Sequence, residues 1–143
     1  MREAPVRHVV FRVASERYAL PLAAVREVVV PQPPFARVPR SSEAVRGVMN
    51  LRGRVVAVVD LAALVGLAPQ PLEAASGHVL ILDQGKRTLG FLIGGVLGVE
   101  TIAPPADAPG GLVRGVAPAS GGAVTVLGVE ALASEAANGL EAV

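Results

Sequence analysis

The chain repeats itself. Val45-Arg46-Gly47-Val48 returns as Val113-Arg114-Gly115-Val116. In the same phase Val56, Val58, Val59, Ala63 and Leu64 return as Val124, Val126, Leu127, Ala131 and Leu132. A second, slightly longer shift brings Leu20, Leu22, Val25 and Val28 onto Phe91, Ile93, Val96 and Val99. Unequal loop lengths produce such paired shifts. Within 143 residues, each copy has only a marginal core alone, so the two halves should pack together, leaving a groove between them. Each half reads as about five short strands, and closing them into a barrel removes the exposed edges.

The local signals fit that plan. Val9, Phe11 and Val13 alternate with Val10 and Arg12, the pattern of a half-buried strand. Ser15-Glu16-Arg17 reads as a turn and Tyr18-Ala19-Leu20 as the returning strand, ended by Pro21. Leu22 to Val25 suits one helical turn, and residues 27–30 suit a strand in which Glu27 follows Val25 on one side. Ser41 or Ser42 can cap a short helix over Glu43 to Arg46, with Gly47 just past its end. Arg54 to Leu61 is apolar on both faces, as in a strand buried on both sides. Leu61 to Val65 suits a brief helix closed by Gly66, and residues 68–77 a connector. The pattern then restarts with strands over 78–82, 88–93 and 96–102, and a hairpin loop at 83–87. A Pro/Gly loop covers 103–111, strands cover 113–117 and 123–127, and a helix over 130–137 stops at Asn138-Gly139. The expected fold is all-β: two small SH3-like five-stranded barrels packed together, with short helices. The first barrel lies mainly in 8–67 and the second mainly in 78–135, with room for strand exchange.

Composition narrows the chemistry. Apolar residues make up 52% and aromatics only 3%, so the core is built from Val, Leu, Ala and Ile. There are no cysteines, which excludes disulfides, zinc fingers and thiol catalysis. His8 and His78 have no further ligand type beside them, so no metal or cofactor is expected. Asp60, Asp83 and Asp107 form no carboxylate pair, and Gly94-Gly95 lacks the lysine of a phosphate loop. No catalytic constellation converges, so the expectation is a binding protein rather than an enzyme. The start of the chain lacks the apolar core of a signal peptide, and the longest apolar run, Thr88 to Val99, is too short to span a bilayer. A cytoplasmic protein is expected.

Net charge is +1, yet Arg37, Arg40, Arg46, Arg52 and Arg54 face only Glu43 between residues 37 and 54. That run is either a solvated loop region or a patch meeting an acidic partner, with Arg40, Arg46 and Arg54 its candidate members. Arg52 either holds loop carbonyls or donates to a partner. Glu27 reads as surface charge or as part of a site, and Val99, at a strand end, reads as core. A nucleic-acid- or ribosome-associated double barrel is the rival class. It would use these arginines, but Tyr18 and three phenylalanines are its whole aromatic supply.

The segments Tyr18-Ala19-Leu20-Pro21-Leu22, Val25-Arg26-Glu27-Val28, Arg46 through Arg54, Val58-Val59-Asp60-Leu61, Gly90 to Ile93 and Val96 to Val99 resemble the CheW family of chemotaxis coupling proteins. The resemblance covers about residues 8–135. It implies a non-enzymatic scaffold joining a CheA-type histidine kinase to the cytoplasmic tip of methyl-accepting chemoreceptors, recruited to receptor arrays. It implies a receptor-binding groove between the barrels, where Val25, Glu27, Arg52 and Val99 match the residue types of the family, while the kinase contacts barrel ends. The same fold forms that kinase's regulatory domain. This chain departs from the pattern at Gly94 and Gly128, where many members carry Asp, and in a shorter 103–122 loop.

Overall fold

The computed structural model describes residues 4–68, 70, 77–84, 87–105 and 111–141. Ten strands run in chain order: β1 (Val6–Val13), β2 (Glu16–Pro21), β3 (Val25–Val29), β4 (Val45–Leu51), β5 (Arg54–Asp60), β6 (His78–Gln84), β7 (Arg87–Ile93), β8 (Gly95–Ile102), β9 (Val113–Ala119) and β10 (Gly122–Leu127). Helix α1 (Leu61–Leu64) follows β5, and helix α2 (Val129–Glu141) follows β10. A 3-10 turn, Leu22–Ala24, joins β2 to β3.

The strands form two five-stranded sheets, β8-β1-β2-β10-β9 and β3-β6-β7-β5-β4. Under the two repeat shifts one order maps onto the other, with β3 in the place of β8, β6 of β1, β7 of β2, β5 of β10 and β4 of β9. The register agrees residue by residue. The parallel pairs Ala57–Leu89 and Val58–Gly90 map onto Thr125–Tyr18 and Val126–Ala19. Val25–Leu82 and Val28–Leu80 map onto Val96–Phe11 and Val99–Val9. The bulges repeat too: one lies between Val45 and Gly47 and its copy opposite Val113 and Gly115. The third strand of each unit crosses over. β3 leaves β2 but pairs with β6, and β8 leaves β7 but pairs with β1. Residues 8–67 and 78–135 therefore both contribute to both sheets.

Each sheet rolls into an SH3-like barrel. Val10, Ala19, Ile102, Ala117, Val124 and Val126 fill one interior. Met49, Val56, Val58, Val79, Ile81 and Leu92 fill the other. The largest cluster lies between the barrels and joins Val9, Phe11, Tyr18 and Leu20 of one sheet to Leu80, Leu82, Leu89, Phe91 and Ile93 of the other, with Leu132 and Ala136 of α2. This explains why β1 is not the half-buried strand its alternation suggests. Phe11 faces the shared core and Val10 its own barrel, and both are fully buried.

Several local expectations change. The capped helix over Glu43 to Arg46 is instead a turn leading into β4, with Ser41 Oγ donating to Val38 O (2.7 Å) and Val45 N to Ser42 O (3.1 Å). Four residues make one hydrogen-bonded turn at most, and pairing with β5 prevails. Gly47 is a bulge residue at φ +135, and a Cβ there would lie 2.5 Å from Ala36 O. The stop at Asn138-Gly139 is overrun by α2, because Gly139 lets the helix approach the loop before β4: its carbonyl accepts from Ser42 N at 2.9 Å. The first hairpin turns at Ala14-Ser15, one residue earlier than the sequence suggests. β5 is buried on both faces only in its second half, and Val55 is 70% exposed. The centre of the 83–87 loop, most of the connector and residues 106–110, including Asp107, lie outside the described residues.

Candidate partner-binding surface

Glu27 sits on edge strand β3, and Arg52 lies in the two-residue turn between β4 and β5, the opposite edge of the same sheet. Their contact closes the barrel. Arg52 donates from one nitrogen to both carboxylate oxygens of Glu27, at 2.6 and 2.7 Å. This hydrogen bond, the arginine's charge and the nearby Arg26 and Arg54 hold the Glu27 carboxyl below its ordinary value of 4.5, and the guanidinium is raised in turn. Arg52 therefore holds a carboxylate rather than loop carbonyls.

The backbone at Arg52 is costly. Arg52 and Gly53 both have positive φ (+52 and +86), the pattern of a type I′ hairpin turn, in which Asn or Gly is favoured.

Val25 and Glu27 do not share a face. A bulge separates them, so Val25 lies opposite Leu82 of the shared core while Glu27 lies opposite Ile81 of the barrel interior. Val25 packs at the margin of the shared core, and Val28, paired with Leu80, joins it on that face at 38% exposure. Val99 is its equivalent on β8, paired with Val9 and 45% exposed; Val96 beside it is the equivalent of Val25. Val99 is thus a surface position and not core. Two equivalent edge strands carry valines outward from the margin of the shared core, and Val28 and Val96 are the members the sequence alone did not single out. The repeat shift contained that signal, because it aligns both pairs.

Of the three candidate patch arginines, Arg46 is turned inward. It donates to Asp60 Oδ2 (2.9 Å) and Gln70 O (2.8 Å). Asp60 is buried and accepts from four donors: Ala62 N, Gln70 N, Gln70 Nε2 and Arg46. Gln70 Nε2 also donates to Leu92 O, pinning the connector to β7. Nothing in the local sequence marks Gln70, which lies in a Pro/Ala-rich stretch. Arg40 is exposed at φ +60, and Arg54 reaches Thr88 Oγ1 at 2.5 Å.

Gly94 and Gly128 both stand where a side chain would collide with backbone. A Cβ on Gly94 would lie 2.9 Å from Arg12 O, and one on Gly128 2.9 Å from Gly111 O. Without an acid at 128, Arg114, the repeat of Arg46, donates to Pro105 O instead (2.7 Å). The edges of this barrel are tied by Glu100, which accepts from Ser120 N (2.7 Å), while Arg17 donates to Ser120 O (2.6 Å). Ser120 is the repeat equivalent of Arg52, so one closure uses a side-chain ion pair and the other a backbone amide.

Among the described residues no three His, Asp or Glu side chains gather as metal ligands, and no helix is long and apolar enough to cross a membrane. The surface offers apolar contact and charge.

The sequence profile of the CheW-like domain matches residues 7–137, spanning both barrels. The chain belongs to the CheW-like family. Over 95 residues it is 33% identical to the probable chemotaxis protein CheW of Rhizobium etli, and 34% identical over the same length to chemotaxis protein CheW of Rhizobium meliloti. Each alignment covers 66% of this chain and 59% of the relative, so the match spans less than two thirds of those curated proteins. The crystal structure of the CheW scaffolding protein of Thermoanaerobacter tengcongensis has a TM-score of 0.72 at 26% identity, covering 86% of this chain and 88% of that one. The CheW-like fold thus extends over both sheets.

Proposed function

We propose that this chain is a non-enzymatic adaptor of chemotaxis-type signalling, coupling a CheA-type histidine kinase to the cytoplasmic tips of methyl-accepting chemoreceptors. The observation carrying the reading is the CheW-like profile across both barrels. The surface supports it: Val25, Val28, Val96 and Val99 give apolar area on two edge strands, and the exposed Arg52–Glu27 pair gives polar anchors on the neighbouring barrel edge. An amphipathic receptor helix is read by such a combination, apolar anchors first and charges for register. The kinase contributes a regulatory domain of the same fold and packs against barrel ends. The site of action is the cytoplasmic face of receptor arrays.

The test is pairwise titration with a purified receptor helical hairpin and a purified kinase regulatory domain. Arg52→Glu and Val99→Asp are expected to weaken receptor binding about tenfold or more, as for central interface residues, and to leave kinase binding unchanged. A wild-type chain that binds neither partner contradicts the coupling role. Tight, steeply salt-dependent binding to an oligonucleotide would favour the nucleic-acid class instead.

A further inference from the structure

The exposed Val55 belongs to a pocket whose lining includes none of Val25, Glu27, Arg52 and Val99. Val55, Ala57 and Val59 share the face of β5 that turns toward the shared core. Val59 is buried there, but the floor runs outward past Ala57 to Val55, which is 70% exposed. Val38, Val48, Val55, Ala57, Thr88, Leu89 and Leu140 line a depression of about 350 Å³. Two distant segments wall it, the loop before β4 and the end of α2, which Gly139 draws against Ser42. Arginines border the lining along the chain: Arg54 precedes Val55 and donates to lining Thr88, Arg37 precedes Val38, and Arg40 follows two residues beyond it. All three are exposed.

The duplication supplies an internal control. In the other barrel, Ala123, Thr125 and Tyr18 stand at the positions of Val55, Ala57 and Leu89, and the Tyr18 hydroxyl is engaged by Glu16. The apolar floor is therefore particular to this copy and not imposed by the fold.

We propose that this pocket binds an acidic amphipathic helix of a partner protein, whose apolar residues fill the floor and whose carboxylates meet Arg37, Arg40 and Arg54. Strand addition is blocked here, because β5 is paired on both sides, to β4 and β7, and the outer edge of β4 at Val48 is taken by Ala36. A partner can offer only side chains. Valines without aromatic rings give nucleic-acid bases nothing to stack on.

The probe is a fluorescent helical peptide with leucines at i, i+3, i+4 and i+7 and glutamates between. Wild-type protein is expected to bind it. Val55→Glu and the pair Arg37→Glu with Arg40→Glu should each weaken binding at least about tenfold with an unchanged circular dichroism spectrum, while Arg52→Asn should not. A peptide with serine for leucine should bind as weakly as the variants do. The proposal is overturned by absence of wild-type binding, by equal binding of Val55→Glu, or by equal binding of the serine peptide or an oligonucleotide. A dimer in sedimentation that Val55→Glu dissolves would assign the pocket to a second copy and overturn it as well.

Discussion

At the scale of single residues, three polar groups carry different loads. Arg52 occupies a backbone conformation suited to Asn, so Arg52→Asn relieves the turn while removing the ion pair. The two effects oppose each other, and a urea midpoint close to that of wild type is expected for an exposed site of this kind. Receptor binding should still fall, which separates fold from function. Glu27 gives a pH signature. Its folded carboxyl is held below its unfolded value by Arg52, so it contributes stability above the unfolded value, lost as pH falls through the folded one. The stability difference between wild type and Glu27→Gln should therefore be constant near neutral pH and vanish in the acid range below 4.5, as followed by urea titrations. Asp60 carries more. All four of its partners are donors, so either orientation of an asparagine amide points its NH2 at donors. Asp60→Asn should cost about 3 kcal/mol in chemical denaturation, as for a buried charge pair broken on one side.

At the scale of elements, glycines decide where strands bend. Gly47 and Gly53 both have positive φ, but only Gly47 has the Ala36 carbonyl where a Cβ would stand; around Gly53 nothing lies within 4 Å. Gly53→Ala should cost about 1 kcal/mol from backbone conformation, and Gly47→Ala at least about 2 kcal/mol, since the loop must also shift. Denaturant midpoints of the two variants check the contrast. The same element shows what was legible from sequence. β4, β5, β9 and β10 were visible through the Val-Arg-Gly-Val echo and the apolar runs after it. The false helix over Glu43 to Arg46 arose because Ser followed by Glu is a helix-start signal locally, while the competing signal, pairing of Val45 with Val59, is not local. The bulge between Val25 and Glu27 was invisible for a similar reason: it is a property of two strands, and alternation along one predicts the wrong face. Arg52 and Glu27 were both candidates from sequence, but their pairing depends on barrel closure. Gln70 became significant only through the fold, by standing between Asp60 and Leu92.

At the scale of the molecule, strand exchange makes the two barrels one cooperative unit. Each sheet takes strands from both halves of the chain, and the largest apolar cluster lies between the sheets rather than within either. Phe91→Ala, at the centre of that cluster, should cost about 3–5 kcal/mol. It should leave unfolding two-state, with the fluorescence of the single tyrosine, Tyr18 in the other sheet, and far-UV circular dichroism tracing one transition. A single cooperative unit suits the proposed adaptor, whose two partners would grip different faces at a fixed relative position. The central claim is that grip on both partners at once, and it is tested most directly by bridging. A receptor helical hairpin fixed to beads is incubated with a purified kinase regulatory domain, with and without this chain. The account predicts that the kinase domain is retained only when the chain is present and is released when the chain carries Arg52→Glu. Equal kinase retention with and without the chain, or retention of the chain by the receptor with no kinase following it, would contradict the account.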